Sequence, residues 1–192
     1  MIAVSRISHP KDIGTLIEAV KISEAEITLL CGDVNINESF FNDLPNSKVI
    51  MISGDDDDVH VIKVARRRNA LIDGKIVEVF GIKIGGIGAV STSLDSTSLT
   101  LAGGNVDILM THYPPYGCLD RIPPLLIPSG LKTVRSVVDS LKPSLVLIGH
   151  GTKPAIGFCG NAVAVSMPHT IAIIDSFKPR RIRFIPLTGE HS

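Results

Sequence analysis

Four residues whose side chains bind transition metals each follow a short apolar run that is typical of a buried strand. They are two carboxylates and two imidazoles: Asp33, Asp55, His112 and His150. The carboxyl ends of parallel strands meet at one edge of an α/β sheet, where ligands bind, so residues far apart in sequence converge there. Two oxygen and two nitrogen donors suit Mn²⁺, Fe²⁺ or Zn²⁺ better than Ca²⁺, which prefers oxygen alone. The pattern predicts a transition-metal site.

Each of these residues also has an ordinary structural explanation when it is taken alone. A Gly-Asp pair after a strand, as at Gly32 and Asp33, is usually a turn or a helix cap. Four consecutive aspartates, as at residues 55–58, usually form a solvated loop. A single histidine in a glycine-rich turn is more often structural than catalytic. The order of all four, at four strand ends, favours a shared site.

The elements that must position these residues alternate along the first three quarters of the chain. Apolar runs rich in Ile and Val predict strands at residues 2–4, 27–30, 49–52, 77–80, 82–84, 106–110 and 145–148. Helical spacing of apolar residues predicts helices at residues 10–21, 38–42, 59–70 and 131–141. Strands that alternate with helices indicate parallel strands with crossover helices.

The last quarter of the chain has a different pattern. After Gly149, short apolar runs at residues 155–158, 162–165, 170–174 and 181–185 predict successive antiparallel strands. Two sheets with helices outside them, a four-layer α/β/β/α sandwich, would use this order of elements, and a single mixed sheet is the alternative. We find no repeat or linker, so we predict one domain over residues 1–192.

The blocks around the four residues resemble those of the calcineurin-like metallophosphoesterases, especially the small prokaryotic phosphodiesterases. Gly-Asp-Val-Asn at 32–35 and Thr-His-Tyr-Pro-Pro at 111–115 match two family blocks. Gly-Asp-Asp-Asp at 54–57 matches a third, with Asp55 in place of Asn, and residues 81–86 resemble the glycine-rich hairpin of the family. The resemblance spans nearly the whole chain. It implies hydrolysis of phosphomonoesters or phosphodiesters, with a small phosphate ester as the partner molecule.

The departures from the family pattern fall on one of its two metal positions. Arg6 stands where the family has Asp, Ser8 where it has His, and Thr152 where it has a second His. The resemblance implies that the other position keeps a full ligand set: Asp33, Asp55, His112 and His150. It therefore implies a degenerate active site that holds one divalent transition metal. This metal would be Mn, Fe or Zn, and we favour Mn.

Two further residues receive catalytic roles from the resemblance. Arg6 occupies the degenerate position, where its guanidinium would bind two phosphate oxygens in place of the missing ion. Alternatively, Arg6 forms a salt bridge that fills a dead site. Asp56 stands where the family has a histidine acid, and an ionised carboxylate is a poor proton donor near neutral pH. The competing prediction is an inactive relative that binds a phosphate-bearing ligand or a protein.

Composition limits the other function classes. Lys and Arg total 19 and Asp and Glu total 19, so the formal net charge is zero. This balance gives no excess positive charge that would predict binding to nucleic acid or to an anionic membrane. With 6 Phe, 2 Tyr and no Trp, no aromatic platform for nucleic acid is visible. The longest apolar runs are far shorter than the roughly 18 residues of a membrane span. We therefore expect no membrane partner, and no feature predicts an oligomeric state.

The cysteines and the start of the sequence bear on the compartment. Cys31, Cys118 and Cys159 are odd in number and widely spaced, which predicts free thiols in a reducing environment. The sequence begins with a strand-like run and has no signal-peptide pattern. Together these features predict a cytoplasmic protein.

Overall fold

The structure is a computed structural model that describes residues 1–5, 10–34, 36–44, 46–174 and 181–187. Its strands are β1 (Ile2–Ser5), β2 (Ile27–Cys31), β3 (Lys48–Ile52), β4 (Ile76–Val79), β5 (Ile82–Ile87), β6 (Ile108–Thr111), β7 (Arg121–Ile122), β8 (Ile127–Pro128), β9 (Leu145–Ile148), β10 (Ala155–Cys159), β11 (Ala162–Ser166), β12 (Thr170–Ile174) and β13 (Ile182–Pro186). Its helices are α1 (Pro10–Ser23), α2 (Glu38–Asp43), α3 (Val59–Arg67), α4 (Thr92–Ala102) and α5 (Lys132–Leu141).

The strands form two main sheets. The first has the order β13-β12-β1-β2-β3, and the second has the order β10-β11-β9-β6-β5-β4. Strands β1, β2 and β3 are parallel to one another, and so are β5, β6, β9 and β11. Antiparallel strands β12 and β13 complete one side of the first sheet, and β10 and β4 form the two edges of the second. Strands β7 and β8 form a separate small hairpin. The alternation of strands and helices therefore correctly predicted parallel pairing in the first three quarters of the chain, between β1, β2 and β3 and between β6 and β9.

Alternation of side chains along the strands produces three apolar layers. Ile2 and Val4 of β1 lie between the two sheets with residues such as Ile108 of β6, whereas Ala3 faces outward and packs with Leu16 of α1. A third cluster lies on the outer face of the second sheet, where Leu109 and other strand residues meet α4 and α5. Helices thus cover both outer faces, which confirms the four-layer α/β/β/α sandwich.

Helix α5 shows why the helices were predictable from the sequence. Its buried side chains recur at helical spacing along one face, Val134, Val137, Val138 and Leu141. Helix α4 was missed, because its sequence is mostly Ser, Thr and Leu, and Ser and Thr are weak helix formers. It is held instead by tertiary burial of Leu99, Asp95 and Ser96.

The prediction that the last strands are successive and antiparallel is wrong in one respect. Strands β10 and β11 pair with each other, but β11 then joins the second sheet in parallel with β9. Strands β12 and β13 belong to the first sheet, where β12 pairs with β1. The chain therefore crosses from one sheet to the other between β11 and β12. Apolar runs alone carry no information about which sheet a strand joins.

The prediction of three free thiols is also wrong. Cys118 and Cys159 form a disulfide with a Cα–Cα distance of 5.2 Å, and only Cys31 is free. The two residues are 41 positions apart in sequence, and they meet because the loop after β6 packs against edge strand β10. The cytoplasmic prediction loses the support that it drew from free thiols.

We expect the disulfide to contribute substantially to stability. Closing a loop of 41 residues removes chain entropy from the unfolded state, worth about 4 kcal/mol in the loop-entropy model. The double variant Cys118→Ser, Cys159→Ser should therefore unfold at a clearly lower urea concentration, and the reduced wild-type protein should match it. Thiol titration of the unfolded, unreduced protein should find the Cys31 thiol alone. Three reactive thiols in that titration would refute the disulfide.

Among the described residues, no helix has both the length and the apolar character needed to cross a membrane.

Candidate metal centre

The four residues singled out in the sequence meet at the joint carboxyl edge of the two sheets. Asp33 and Asp55 follow β2 and β3 of the first sheet, and His112 and His150 follow β6 and β9 of the second. Each residue offers one ligand atom, and these atoms all lie within 4.8 Å of one another. The backbone N–H of His150 donates a hydrogen bond to the His112 carbonyl at 2.7 Å, and this bond holds the two histidine segments together. The predicted convergence is confirmed.

Glycines allow the loops of this edge to approach so closely. A Cβ at Gly54 would overlap both the side-chain oxygen and the backbone nitrogen of Asp33. A Cβ at Gly149 would overlap the carbonyl oxygen of Cys31, across the gap between the two sheets. Each of these glycines directly precedes a residue of the cluster, Asp55 or His150. The cluster therefore depends on backbone contacts that larger residues exclude.

His112 is buried and its orientation is fixed by the neighbouring strand. Its Nδ1–H donates to the Cys31 carbonyl at 3.0 Å, because a carbonyl can only accept. Its Nε2 then faces the carboxylates, 2.5 Å from Asp55 Oδ1 and 3.7 Å from Asp33 Oδ2. In a neutral ring with that tautomer, the Nε2 lone pair faces a carboxylate oxygen, and two such acceptors repel each other. A proton or a metal ion bound between them makes the contact favourable. This donor set fits a divalent transition metal.

The two carboxylates of the cluster differ in their surroundings. Asp33 is buried, and its Oδ1 accepts a hydrogen bond from the Asp56 N–H at 3.0 Å. The Asp55 side chain is 39% exposed. Desolvation raises the pKa of Asp55, but the pKa is lowered overall by hydrogen bonds with His112 and with its own backbone N–H and by the charges that His112 and His150 carry when they are protonated. Asp55 is thus held as a carboxylate.

The remaining predicted residues lie at the rim or outside the described part of the chain. His150 is 46% exposed, with Nδ1 3.7 Å from Asp55 Oδ1. The Asp56 side chain is exposed, and its backbone rather than its carboxylate contacts the cluster. Arg6 lies outside the described residues, as does Ser8.

Asp57 has a role that the sequence analysis missed. Its carboxylate accepts from the backbone N–H of Val34 and of Gly54, each at 2.6 Å, and so joins the two loops that carry Asp33 and Asp55. Burial raises the pKa of Asp57 to about 6, although these two hydrogen bonds oppose the shift. Nothing in four consecutive aspartates indicates which one turns inward.

Tyr113 was quoted within a motif but received no role. Its ring centroid lies 5.1 Å from that of His112 and 5.6 Å from that of His150, so it packs against both imidazoles. Its pKa is raised, by burial first and then by the negative charges of Asp55, Asp33 and Asp56. The phenol therefore stays protonated at the edge of the cluster.

A second group of carboxylates supports the start of the Asp55 loop. Asp73 accepts from the Ser53 N–H at 2.9 Å, and Asp95 accepts from the Gly88 N–H at 3.0 Å. Burial raises the pKa of Asp95 to about 6; the Gly88 hydrogen bond lowers it, and the charge of Asp73 raises it further. Asp95 is buried on α4, the helix that was not predicted.

The raised pKa of Asp95 predicts a pH-dependent effect of Asp95→Asn. Between the ordinary pKa of 3.8 and about 6 the folded chain binds more protons than the unfolded chain, so the Asp95 contribution to stability falls as pH rises through that range. Asparagine keeps an acceptor for Gly88 and removes the charge. We expect the variant to be more stable than wild type at about pH 8 and similar at about pH 4, measured by urea unfolding. Equal destabilisation at both pH values would contradict this prediction.

Comparison with known proteins identifies the fold. TT1561 of Thermus thermophilus is 14% identical, with a TM-score of 0.72 over 96% of this chain and 97% of its own. A structure described as a novel archaeal phosphodiesterase is 15% identical, with a TM-score of 0.59 over 97% and 99%. GAP50, described as the anchor in the inner membrane complex of Plasmodium, is 8% identical, with a TM-score of 0.53 over 98% and 89%.

No protein-family model and no curated protein sequence matches the chain. The similarity is therefore structural, and at these identities it shows the fold. The chain has the fold of the calcineurin-like metallophosphoesterases, which confirms the resemblance at that level.

Proposed function

We propose that this protein is a metal-dependent phosphoesterase that hydrolyses phosphomonoester or phosphodiester bonds with one divalent transition metal, Mn favoured. The observation that carries the proposal is the convergence of Asp33, Asp55, His112 and His150 within 4.8 Å at the joint edge of both sheets. The archaeal phosphodiesterase with the same fold supports the reaction class.

The chain's own residues would prepare such a site for phosphoryl chemistry. A divalent ion at these four ligands would act as a Lewis acid on a phosphoryl oxygen and would lower the pKa of a water molecule. Asp33 is oriented by the Asp56 N–H, and His112 by the Cys31 carbonyl, so two buried ligands keep fixed positions. Asp57 fixes the two acidic loops relative to each other. His150 and Asp55 are partly exposed, which leaves one side open to a substrate.

Arg6 and Asp56 complete the proposed site by resemblance to the family. Arg6 occupies the degenerate metal position, and we propose that its guanidinium binds phosphoryl oxygens there. Asp56 stands at the position of the family's histidine acid, and its side chain is exposed at the rim. Without that histidine, the site has no effective general acid to protonate the leaving group. We therefore propose that good leaving groups are strongly preferred.

Arg6→Ala separates the two interpretations of Arg6. If the guanidinium binds phosphate through charge-assisted hydrogen bonds, worth about 1.5–3 kcal/mol, phosphate affinity should fall roughly ten- to a hundredfold. Affinity for Mn²⁺ should hold or improve, because a cation has been removed nearby. Titration calorimetry with inorganic phosphate, on protein loaded with Mn²⁺, measures the first quantity. Unchanged phosphate affinity together with lower stability would make Arg6 a structural residue only.

Hydrolysis of a nitrophenyl phosphodiester tests the proposed reaction. Protein treated with a chelator should be inactive, and Mn²⁺ should restore turnover. Asp55→Ala should remain inactive with Mn²⁺, whereas His60→Ala, an exposed change on α3, should behave as wild type. Metal binding without any restored turnover would overturn the proposal.

A second candidate is an inactive relative that binds a phosphate-bearing ligand or a protein. The loss of three family ligands from one metal position favours it. GAP50, a protein of the same fold, is described as the anchor in the inner membrane complex of Plasmodium, and that description also supports this candidate. The hydrolysis assay separates this candidate from the enzyme.

A further inference from the structure

A hairpin between β6 and α5 exposes an unbroken run of apolar residues. We call residues 121–128 the apolar hairpin; it contains β7 and β8. From residue 122 to residue 128 no side chain is polar, and every residue is exposed. Its four large aliphatic side chains are 45–77% exposed: Ile122, Leu125, Leu126 and Ile127. A run of three or four exposed apolar residues is already unfavourable in water unless it serves a function.

Hydrogen bonds hold the base of the apolar hairpin in place. The Tyr116 N–H donates to the Leu131 carbonyl, and the Leu131 N–H donates to the Pro114 carbonyl, at 3.1 and 2.9 Å. Buried Asp120 accepts from the N–H groups of Gly117 and Gly130. The exposed tip is therefore presented by a fixed support, and it begins a few residues after Tyr113 at the rim of the metal centre.

The backbone of the apolar hairpin is suited to an apolar medium. Pro123, Pro124 and Pro128 have no N–H group to satisfy. Ile122 pairs with Ile127 across the hairpin, and the carbonyl of Leu126 accepts from the Arg121 guanidinium at 3.0 Å. Unsatisfied backbone groups are the main obstacle to burial in lipid, and the three prolines, the strand pair and the Leu126 carbonyl bond reduce their number here.

The charges around the base are complementary to an anionic surface. Arg121, the first residue of the hairpin, and Lys132, four residues after its end, are both exposed, and Lys132 Nζ lies 5.7 Å from the ring centroid of half-exposed Tyr116. The one acidic residue between Tyr116 and Lys132 is Asp120, which is buried and hydrogen-bonded. Basic residues beside an apolar tip are attracted to anionic headgroups. Two copies meeting through this hairpin would instead bring like charges together.

We propose that the apolar hairpin inserts into the surface of an anionic lipid bilayer. Strands of two residues make it far too short to span a membrane, but its length suits the interfacial depth of about 5–10 Å. Arg121 and Lys132 then lie at headgroup level. Total charge and the length of apolar runs predicted no membrane partner, and neither quantity reveals a short exposed hairpin.

Co-sedimentation with vesicles tests this proposal independently of any hydrolysis. The protein should bind vesicles of phosphatidylcholine with phosphatidylglycerol and bind pure phosphatidylcholine more weakly. Leu125→Ser with Leu126→Ser should reduce binding more than about tenfold, because each leucine contributes burial of a large apolar side chain. Leu94→Ser with Leu101→Ser is the matched control, since these leucines are 71% and 80% exposed on α4. The control pair should bind as wild type.

Three results would overturn the proposal. The first is absence of binding to either kind of vesicle. The second is an equal loss of binding in the hairpin variant and in the α4 control. The third is a wild-type dimer, seen by light scattering, that the hairpin variant loses, because the apolar hairpin would then bind a second copy. Equal Mn²⁺ affinity in all variants would show that each remains folded.

Discussion

Replacing His150 with alanine should nearly abolish Mn²⁺ binding while the protein stays folded. The His150 side chain is 46% exposed, so its removal leaves no large cavity. Loss of a group that only orients a metal ligand typically costs about 10–100-fold in affinity, so loss of a direct ligand should cost at least about a hundredfold. Titration calorimetry with Mn²⁺ on chelator-treated protein measures the change.

His60→Ala is the control for that experiment. His60 is also exposed, but it lies on α3 and does not belong to the four-residue cluster. Its removal should leave Mn²⁺ affinity unchanged. A His150→Ala protein with wild-type affinity would remove His150 from the ligand set, and equal losses in both variants would indicate nonspecific binding to histidine.

Gly54→Ala should damage both the fold and the metal centre. The added Cβ would overlap the Asp33 side-chain oxygen and backbone nitrogen. Moving the oxygen disturbs its hydrogen bond from the Asp56 N–H, and moving the backbone disturbs the adjoining Val34 N–H bond to Asp57. Overpacking of a close backbone contact costs about 1–3 kcal/mol or more. Mn²⁺ affinity should fall as well, because Asp33 is displaced. Urea unfolding and calorimetry measure the two effects.

Gly14→Ala provides the matched control. Gly14 lies within α1, and a Cβ there would have nothing within 4 Å. Alanine is favoured over glycine inside a helix by about 1 kcal/mol, so this variant should be slightly more stable than wild type and should bind Mn²⁺ equally well. If Gly54→Ala also proved neutral, the close approach of the Asp33 and Asp55 loops would be wrong.

The parts of the fold that follow from local patterns were predictable. Apolar strand runs and helical periodicity placed most strands and four of the five described helices, and polar residues after four strands indicated the cluster of Asp33, Asp55, His112 and His150. The site was accessible from the sequence because parallel strands point their carboxyl ends in one direction. His112 and Asp33 could therefore be placed together although 79 positions separate them in sequence.

The features that were missed depend on tertiary contacts. Helix α4 is stabilised by burial rather than by its residue types, and the Cys118–Cys159 pair depends on how a loop packs against β10. The inward turn of Asp57 is set by the N–H groups of Val34 and Gly54, which no sequence pattern reveals. Exposure of the apolar hairpin was equally hidden, since the same run of residues would suit a buried strand.

Elemental analysis of metal in the purified protein tests the central claim most directly. The protein should be prepared without an affinity tag, saturated with Mn²⁺ and freed of excess ion. The account predicts one metal ion per chain, held by Asp33, Asp55, His112 and His150, and its loss in His150→Ala. A stoichiometry near two would mean that the position of Arg6 still binds metal. A stoichiometry of zero would contradict the metal centre itself.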